Sequence, residues 1–258
     1  MKDELVVYSC GGPTEALQKV NHVFEKMYDC RVRFTGKSSP ILKDELLNGA
    51  YADVFLPRGV MYSKLLSKSG LIEDGYNVYQ FTQWVIATQL GNPKNINGLE
   101  DLLRDYVIVY TSSKATISEI IALPYIGDLI KRIYDRSAKD FDCYRKMLKS
   151  VVNGDCDAVI VEKRCTTLKG IDGNIDIIEI PAKYVERETG FFTIGVMENS
   201  ENKDLAYRYK EFVLSYTGQK ILEKNGFIPI NSKKGREILY ECYPEHASIT
   251  PIKSNCNI

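Results

Sequence analysis

Short apolar runs alternate along this chain with amphipathic runs, and the turns between them are rich in glycine and hydroxyl side chains. That alternation restricts the fold more than any other feature. Residues 5–8 read as a strand and 14–27 as a helix with Ala16, Leu17, Val20, Val23, Phe24 and Met27 on one face. A strand over 30–34 follows, then a helix from Ser38-Ser39-Pro40 to about Leu47 with Asn48-Gly49 as its cap, a buried strand over 52–56 and a helix over about 62–69. Strand and helix in this order imply a mostly parallel sheet flanked by helices.

Residues 81–89 are apolar and β-prone, and a second alternating set begins after the turn-rich Gly91-Asn92-Pro93-Lys94-Asn95. Here the spacing predicts a short helix over 99–103, a strand over 107–110, a helical region over 118–137 interrupted near Pro124, a helix over 144–152 and a strand over 158–161. Another β-prone run covers 191–197, and helices over 203–215 and 218–225 lead into Gly226-Phe227-Ile228-Pro229-Ile230. A helix followed by Asn48-Gly49-Ala50-Tyr51-Ala52-Asp53-Val54-Phe55 is echoed by a helix followed by Asn153-Gly154-Asp155-Cys156-Asp157-Ala158-Val159-Ile160. The expected organisation is therefore two similar α/β lobes, one of 1–85 plus 195–258 and one of 86–194, joined by a hinge of two strands over 81–89 and 191–197. Asp53 and Asp157 are expected to be turn or cap residues. The tail from about Lys233 shows no clear period and carries no functional reading.

Three turns carry the chemistry: Ser9-Cys10-Gly11-Gly12-Pro13-Thr14, Gly36-Lys37-Ser38-Ser39-Pro40 and Thr111-Ser112-Ser113-Lys114-Ala115-Thr116. Each can set backbone N–H groups and hydroxyls at a helix N-terminus, where the helix dipole favours negative charge. In open α/β sheets such turns converge beyond the carboxyl ends of the strands, so the expected site is an anion socket facing the cleft between the lobes. Basic and acidic residues balance at 34 each, which gives no global field for nucleic acid or an anionic membrane surface. No stretch has the length and apolarity to span a bilayer. The seven cysteines are an odd number without a CxxC pair, so neither a zinc ribbon nor a full disulfide framework is indicated, and buried or free thiols are expected. Cys10 lies where a helix N-terminus could lower its pKa, but His22 and His246 are the only histidines and neither is placed to serve as a base. Catalysis is therefore not expected, and no cofactor is implied.

The segment Val7-Tyr8-Ser9-Cys10-Gly11-Gly12-Pro13-Thr14-Glu15-Ala16-Leu17, with Gly49-Ala50-Tyr51-Ala52-Asp53-Val54-Phe55, resembles the periplasmic molybdate/tungstate-binding proteins of ABC importers. So do Gly91-Asn92-Pro93-Lys94-Asn95-Ile96 with Leu99-Glu100-Asp101-Leu102, and Gly218-Gln219-Lys220-Ile221-Leu222 with Gly226-Phe227. The resemblance covers roughly 5–230 and implies a two-lobed type II periplasmic binding protein fold. It also implies a monomeric receptor that holds a tetrahedral oxyanion with hydroxyls and backbone N–H groups and delivers it to an ABC transporter permease. By the same resemblance Ser39 matches a ligand serine. Gly12 stands where the family usually has another, leaving Ser9, Gly11 and Thr14, beside Cys10 and Ser38, as neighbouring donors. Backbone N–H groups near Thr116, Ile117 and Tyr144 would complete the set.

Glu162 stands where many members place an anion-binding tyrosine. Two unit charges about 4 Å apart interact by about 4 kcal/mol at an effective dielectric of 20, so a bare carboxylate there would repel the ligand. It would have to be protonated, paired with Arg58 or Lys163, or turned outward. An intracellular binding or sensing protein of the same fold, with a metal or other small molecule as ligand, is the alternative reading. The N-terminus lacks the basic, apolar and small-residue segments of a signal peptide. Location is accordingly expected to be periplasmic or extracellular at the membrane if a leader has been removed, and cytoplasmic otherwise.

Overall fold

The computed structural model describes residues 3–112, 127–141, 143–180 and 190–242. The chain divides into two compact units, one of 1–81 with 187–258 and the other of 82–186. The change of unit falls at Phe81/Thr82, against an expected 85/86.

In chain order the first unit begins β1 (Glu4–Cys10), α1 (Thr14–Tyr28), β2 (Arg31–Lys37), α2 (Ser39–Leu47), β3 (Val54–Leu56), α3 (Val60–Lys68) and β4 (Ile72–Phe81). The second unit holds β5 (Trp84–Gln89), a 3-10 turn over Leu99–Leu103, β6 (Val109–Thr111), α4 (Gly127–Asp135), β7 (Lys139–Asp140), α5 (Tyr144–Val152), β8 (Ala158–Glu162), a 3-10 turn over Lys163–Thr167 and β9 (Ile175–Glu179). The chain then returns with β10 (Phe191–Met197), α6 (Lys203–Leu214), α7 (Tyr216–Glu223), β11 (Ile228–Pro229), α8 (Lys233–Glu237) and a π-helical turn over Ile238–Cys242.

The first unit's sheet has the order β11-β4-β10-β3-β1-β2, and the second unit's has β7-β6-β8-β5-β9. β1 pairs in parallel with β2 and β3, while β10 runs antiparallel between β3 and β4. The second sheet repeats the arrangement, with β6 parallel to β7 and β8, and β5 antiparallel between β8 and β9. Both sheets are thus mixed: β10 and the short edge strand β11 run against the rest of the first, and β5 against the rest of the second.

Strand alternation sorts the side chains onto two buried faces. In β1, Leu5 and Val7 pack with α1, α6 and α7, whereas Val6 packs with α2 and α3; in β3, Val54 and Leu56 go with the first set and Phe55 with the second. The same division appears in the second unit, where Ile86 and Ile160 meet α4, and Val85, Ala87, Val159 and Val161 meet α5. On α1 the expected stripe is buried at Ala16, Leu17, Val20 and Phe24, but Met27 is exposed. Asn21 is buried in its stead, because the Tyr209 hydroxyl on α6 donates to its Oδ1 at 2.7 Å.

The β4 strand is absent from the sequence-based expectation, and its residues show why. Asp74 and Gly75 both take positive φ, 50° and 76°, and the pairing with β10 skips from Glu73 to Tyr76 across them. An Asp-Gly pair ordinarily signals a turn, and here it forms a bulge inside a ten-residue strand. The short strands β7, β9 and β11 and helix α8 likewise lie outside what the periodicity indicated. Residues 118–126 of the expected 118–137 helix lie outside the described residues, and α4 is its remaining part.

The two echoed segments do the same structural job. Asp53 donates its backbone N–H to the Val6 carbonyl at 2.8 Å and accepts the Val6 N–H on Oδ2 at 2.6 Å. Asp157 donates its N–H to the Ile108 carbonyl at 2.8 Å and accepts the Ile108 N–H on Oδ2 at 2.8 Å. Both aspartates therefore tie the entry of one central strand to the start of its neighbour. That corrects the expectation of turn or cap residues: the carboxylate extends the strand ladder by one rung. Asp53 also accepts from the hydroxyls of Tyr51 at 2.5 Å and Ser200 at 2.6 Å, so no part of it is exposed.

Candidate functional site

In the first unit, β1, β2 and β3 run in parallel and their carboxyl ends feed α1, α2 and α3. Register places Ser9 opposite Gly36 and opposite Leu56, which gathers the first two hydroxyl-rich turns and the loop after β3 at one sheet end. Gly36 makes that approach possible. A Cβ there would lie 2.9 Å from Thr14 Oγ1, closer than a carbon can come. Gly11, by contrast, would accommodate a Cβ without contact.

The donors of this unit differ in what they have left to give. The Ser9 hydroxyl is fully buried and donates to the Cys10 carbonyl at 3.1 Å; the Thr14 hydroxyl donates to the Gly11 carbonyl at 2.8 Å. Both protons are therefore committed locally. Cys10 is buried, Gly11 exposed and Gly12 half-buried. Ser38 is the N-cap of α2 in extended conformation, yet its hydroxyl makes no capping bond and is exposed. Ser39 is only 5 % exposed, and its Oγ accepts the Arg58 N–H at 2.9 Å. An oxygen that accepts there keeps its own proton to donate elsewhere. Arg58 itself follows β3, with its guanidinium carbon 5.8 Å from the centre of the Phe192 ring.

In the second unit, β6, β7 and β8 are the parallel strands. Thr111 ends β6 and donates its hydroxyl to Ser137 Oγ at 2.8 Å, while Thr116 and Ile117 lie outside the described residues. Tyr144 opens α5 just after β7, so its N–H belongs to the first-turn amides that have no acceptor within the helix. Its ring meets Trp84 edge to face, with centroids 6.3 Å apart.

Glu162 ends β8 opposite Trp84 and is only 1 % exposed. The cation beside it is Arg164, whose Nε bonds to Glu162 Oε2 from the following 3-10 turn. Lys163, which the sequence offered as a partner, instead bonds Glu179 at 2.6 Å. Burial pulls the Arg164 pKa down, but the Glu162 carboxylate more than offsets it, and the guanidinium holds its proton above its ordinary value. The Tyr144 hydroxyl is pushed well up, first by burial and then by the negative charge of Glu162. Arg164 and Glu162 thus form a neutral pair at the strand end. Gln83, which precedes β5 and accepts the Lys163 N–H on its carbonyl at 2.9 Å, is the other polar residue here that the sequence did not single out. Nothing in its local pattern distinguishes it, since it becomes special only through burial.

Each sheet thus sets helix N-termini at the carboxyl ends of its parallel strands, the edge where open α/β sheets hold ligands. The model of the bacterial extracellular solute-binding protein family matches residues 5–228, and the chain belongs to that family. The molybdate-binding protein ModA of Mycobacterium tuberculosis is 22% identical over 232 residues, which cover 86% of this chain and 84% of that protein. Among solved structures, the substrate binding domain assigned to a molybdenum ABC transporter from Clostridium difficile superposes with a TM-score of 0.73 at 20% identity, over 89% of this chain and 100% of that one. Iron-bound HitA from Pseudomonas aeruginosa superposes with a TM-score of 0.69 at 16% identity, over 90% and 87%. The fold is therefore that of the two-lobed periplasmic binding proteins, and these similar proteins are named for molybdate, molybdenum and iron.

Proposed function

We propose that this protein is a receptor, without catalytic activity, that captures a small tetrahedral oxyanion, molybdate or tungstate foremost, and delivers it to an ABC transporter permease outside the cytoplasmic membrane. The observation that carries the reading is Ser39, a buried hydroxyl at the start of α2 whose acceptor side is already taken by the Arg58 N–H. That bond leaves its own proton to give, and the hydroxyl lies at the positive end of a helix. ModA, named for molybdate binding, and the neighbour named for a molybdenum transporter support the ligand class. The Glu162–Arg164 pair supports it as well, because a carboxylate already matched by a guanidinium no longer presents a net negative charge to an anion.

Selectivity in such a site follows from geometry, since neutral donors replace the water shell of an anion only at the spacing they are built for. Isothermal calorimetry with molybdate, tungstate, sulfate, phosphate and divalent metals tests the reading. The expected result is binding of molybdate or tungstate ahead of the others, with S39A weakening it about tenfold, the equivalent of about 1.4 kcal/mol. Binding of divalent metals alone would overturn it.

A further inference from the structure

The polar groups at the end of the second unit's sheet do not close among themselves. Tyr144 is half-buried as a residue, yet its hydroxyl oxygen is shut off from solvent and, among the described residues, has no hydrogen-bond partner. Gln83 is 1 % exposed, and neither its amide nitrogen nor its amide oxygen is paired. Both residues stand beside the end of β8: Tyr144 through its ring against Trp84, which is paired in register with Glu162, and Gln83 through its carbonyl bonded to the Lys163 N–H. The large majority of buried polar side-chain atoms in native proteins are paired, so each one that is not asks for a partner such as a water, an ion or a ligand.

The chemistry of the spot narrows what that is. The Glu162 carboxylate, which could have accepted from Tyr144, is turned to Arg164. Tyr144 also opens α5, so its N–H and its hydroxyl belong to the same residue at the positive end of a nine-residue helix. The geometry points to the Tyr144 hydroxyl as a direct donor to the bound oxyanion, in addition to any contact from the Tyr144 backbone. This assignment rests on the oxyanion reading given above. Glu162 and Arg164 then act as a positioning pair: the guanidinium keeps the carboxylate from taking the proton that Tyr144 offers to the ligand.

The test is Y144F, which removes one oxygen and keeps the ring against Trp84. Calorimetry with molybdate should show affinity lowered about tenfold or more, while the melting temperature of the ligand-free protein stays level or rises, because the substitution deletes an unpaired buried group. A purely structural tyrosine would give the opposite pair of results, with affinity kept and stability lost. As a second measurement that needs no variant to bind, wild-type protein labelled at the tyrosine ζ-carbons, with the Tyr144 signal identified by its absence in Y144F, should show that signal shift on addition of molybdate. Wild-type binding with Y144F unchanged in affinity and the Tyr144 signal unmoved overturns the assignment alone. Failure of the wild type to bind molybdate, tungstate, sulfate or phosphate overturns the oxyanion reading and this assignment with it.

Discussion

Charges and thiols in this protein behave according to what surrounds them, and Cys156 shows the point most simply. Burial, with Asp157 and Asp155 adding to it, pushes its thiol from 9.0 up to about 12. An acid held above its unfolded value contributes stability that is complete below about pH 9 and is lost as the pH rises toward 12. Urea titrations at pH 8 and pH 10.5 should accordingly show stability falling between them, and falling less steeply in C156A. Alkylation at neutral pH should mark Cys143, which is half-buried, well before Cys10, Cys30, Cys156 and Cys165, which are buried. Mass spectrometry of the labelled native protein reads this directly. At Glu162 the expected signs oppose each other. E162Q should strengthen molybdate binding severalfold by leaving the Arg164 charge unmatched, and should cost about 2 kcal/mol of stability, because a mostly buried guanidinium loses its partner.

Strands and helices are coupled here by a few single residues that span them. The Asp53 carboxylate accepts from the Val6 N–H of β1, from Tyr51 and from Ser200 ahead of α6, while that of Asp157 accepts one strand amide and lies 3.9 Å from Lys94. D53A should therefore destabilise the first unit by about 4 kcal/mol or more, and D157A the second by roughly a third of that, given about 1.5 kcal/mol for each bond to a charged group whose partner is left buried. Chemical denaturation followed with probes in each unit separates the two. Gly218 is tighter still: a Cβ on it would lie 2.2 Å from the Phe212 carbonyl oxygen, where backbone and not a flexible side chain is in the way. G218A should distort the junction of α6 and α7, measurable as a fall in melting temperature, even though glycine-to-alanine changes in open helices are stabilising.

For the molecule as a whole, balanced charge has a kinetic consequence. With 34 basic and 34 acidic residues, long-range steering of an anion is weak, so the association rate of molybdate in stopped-flow fluorescence should change by less than about threefold between 50 and 500 mM salt. What the sequence by itself determined was the alternation of elements, the first two hydroxyl-rich turns at strand ends and the echo around Asp53 and Asp157, because each of these is written in neighbouring residues through period, caps and turn chemistry. The helices α1, α2 and α5 and the strands β1, β3, β8 and β10 are legible for that reason. Strand β4 is not, since its Asp-Gly bulge mimics a turn until β10 pairs across it. Only the tertiary structure decided which hydroxyls are spent on carbonyls, which cation meets Glu162, and that Gln83 and the Tyr144 hydroxyl are buried without partners. Hydrogen-bond satisfaction depends on groups that come together from distant parts of the chain, and no local pattern of residues records it.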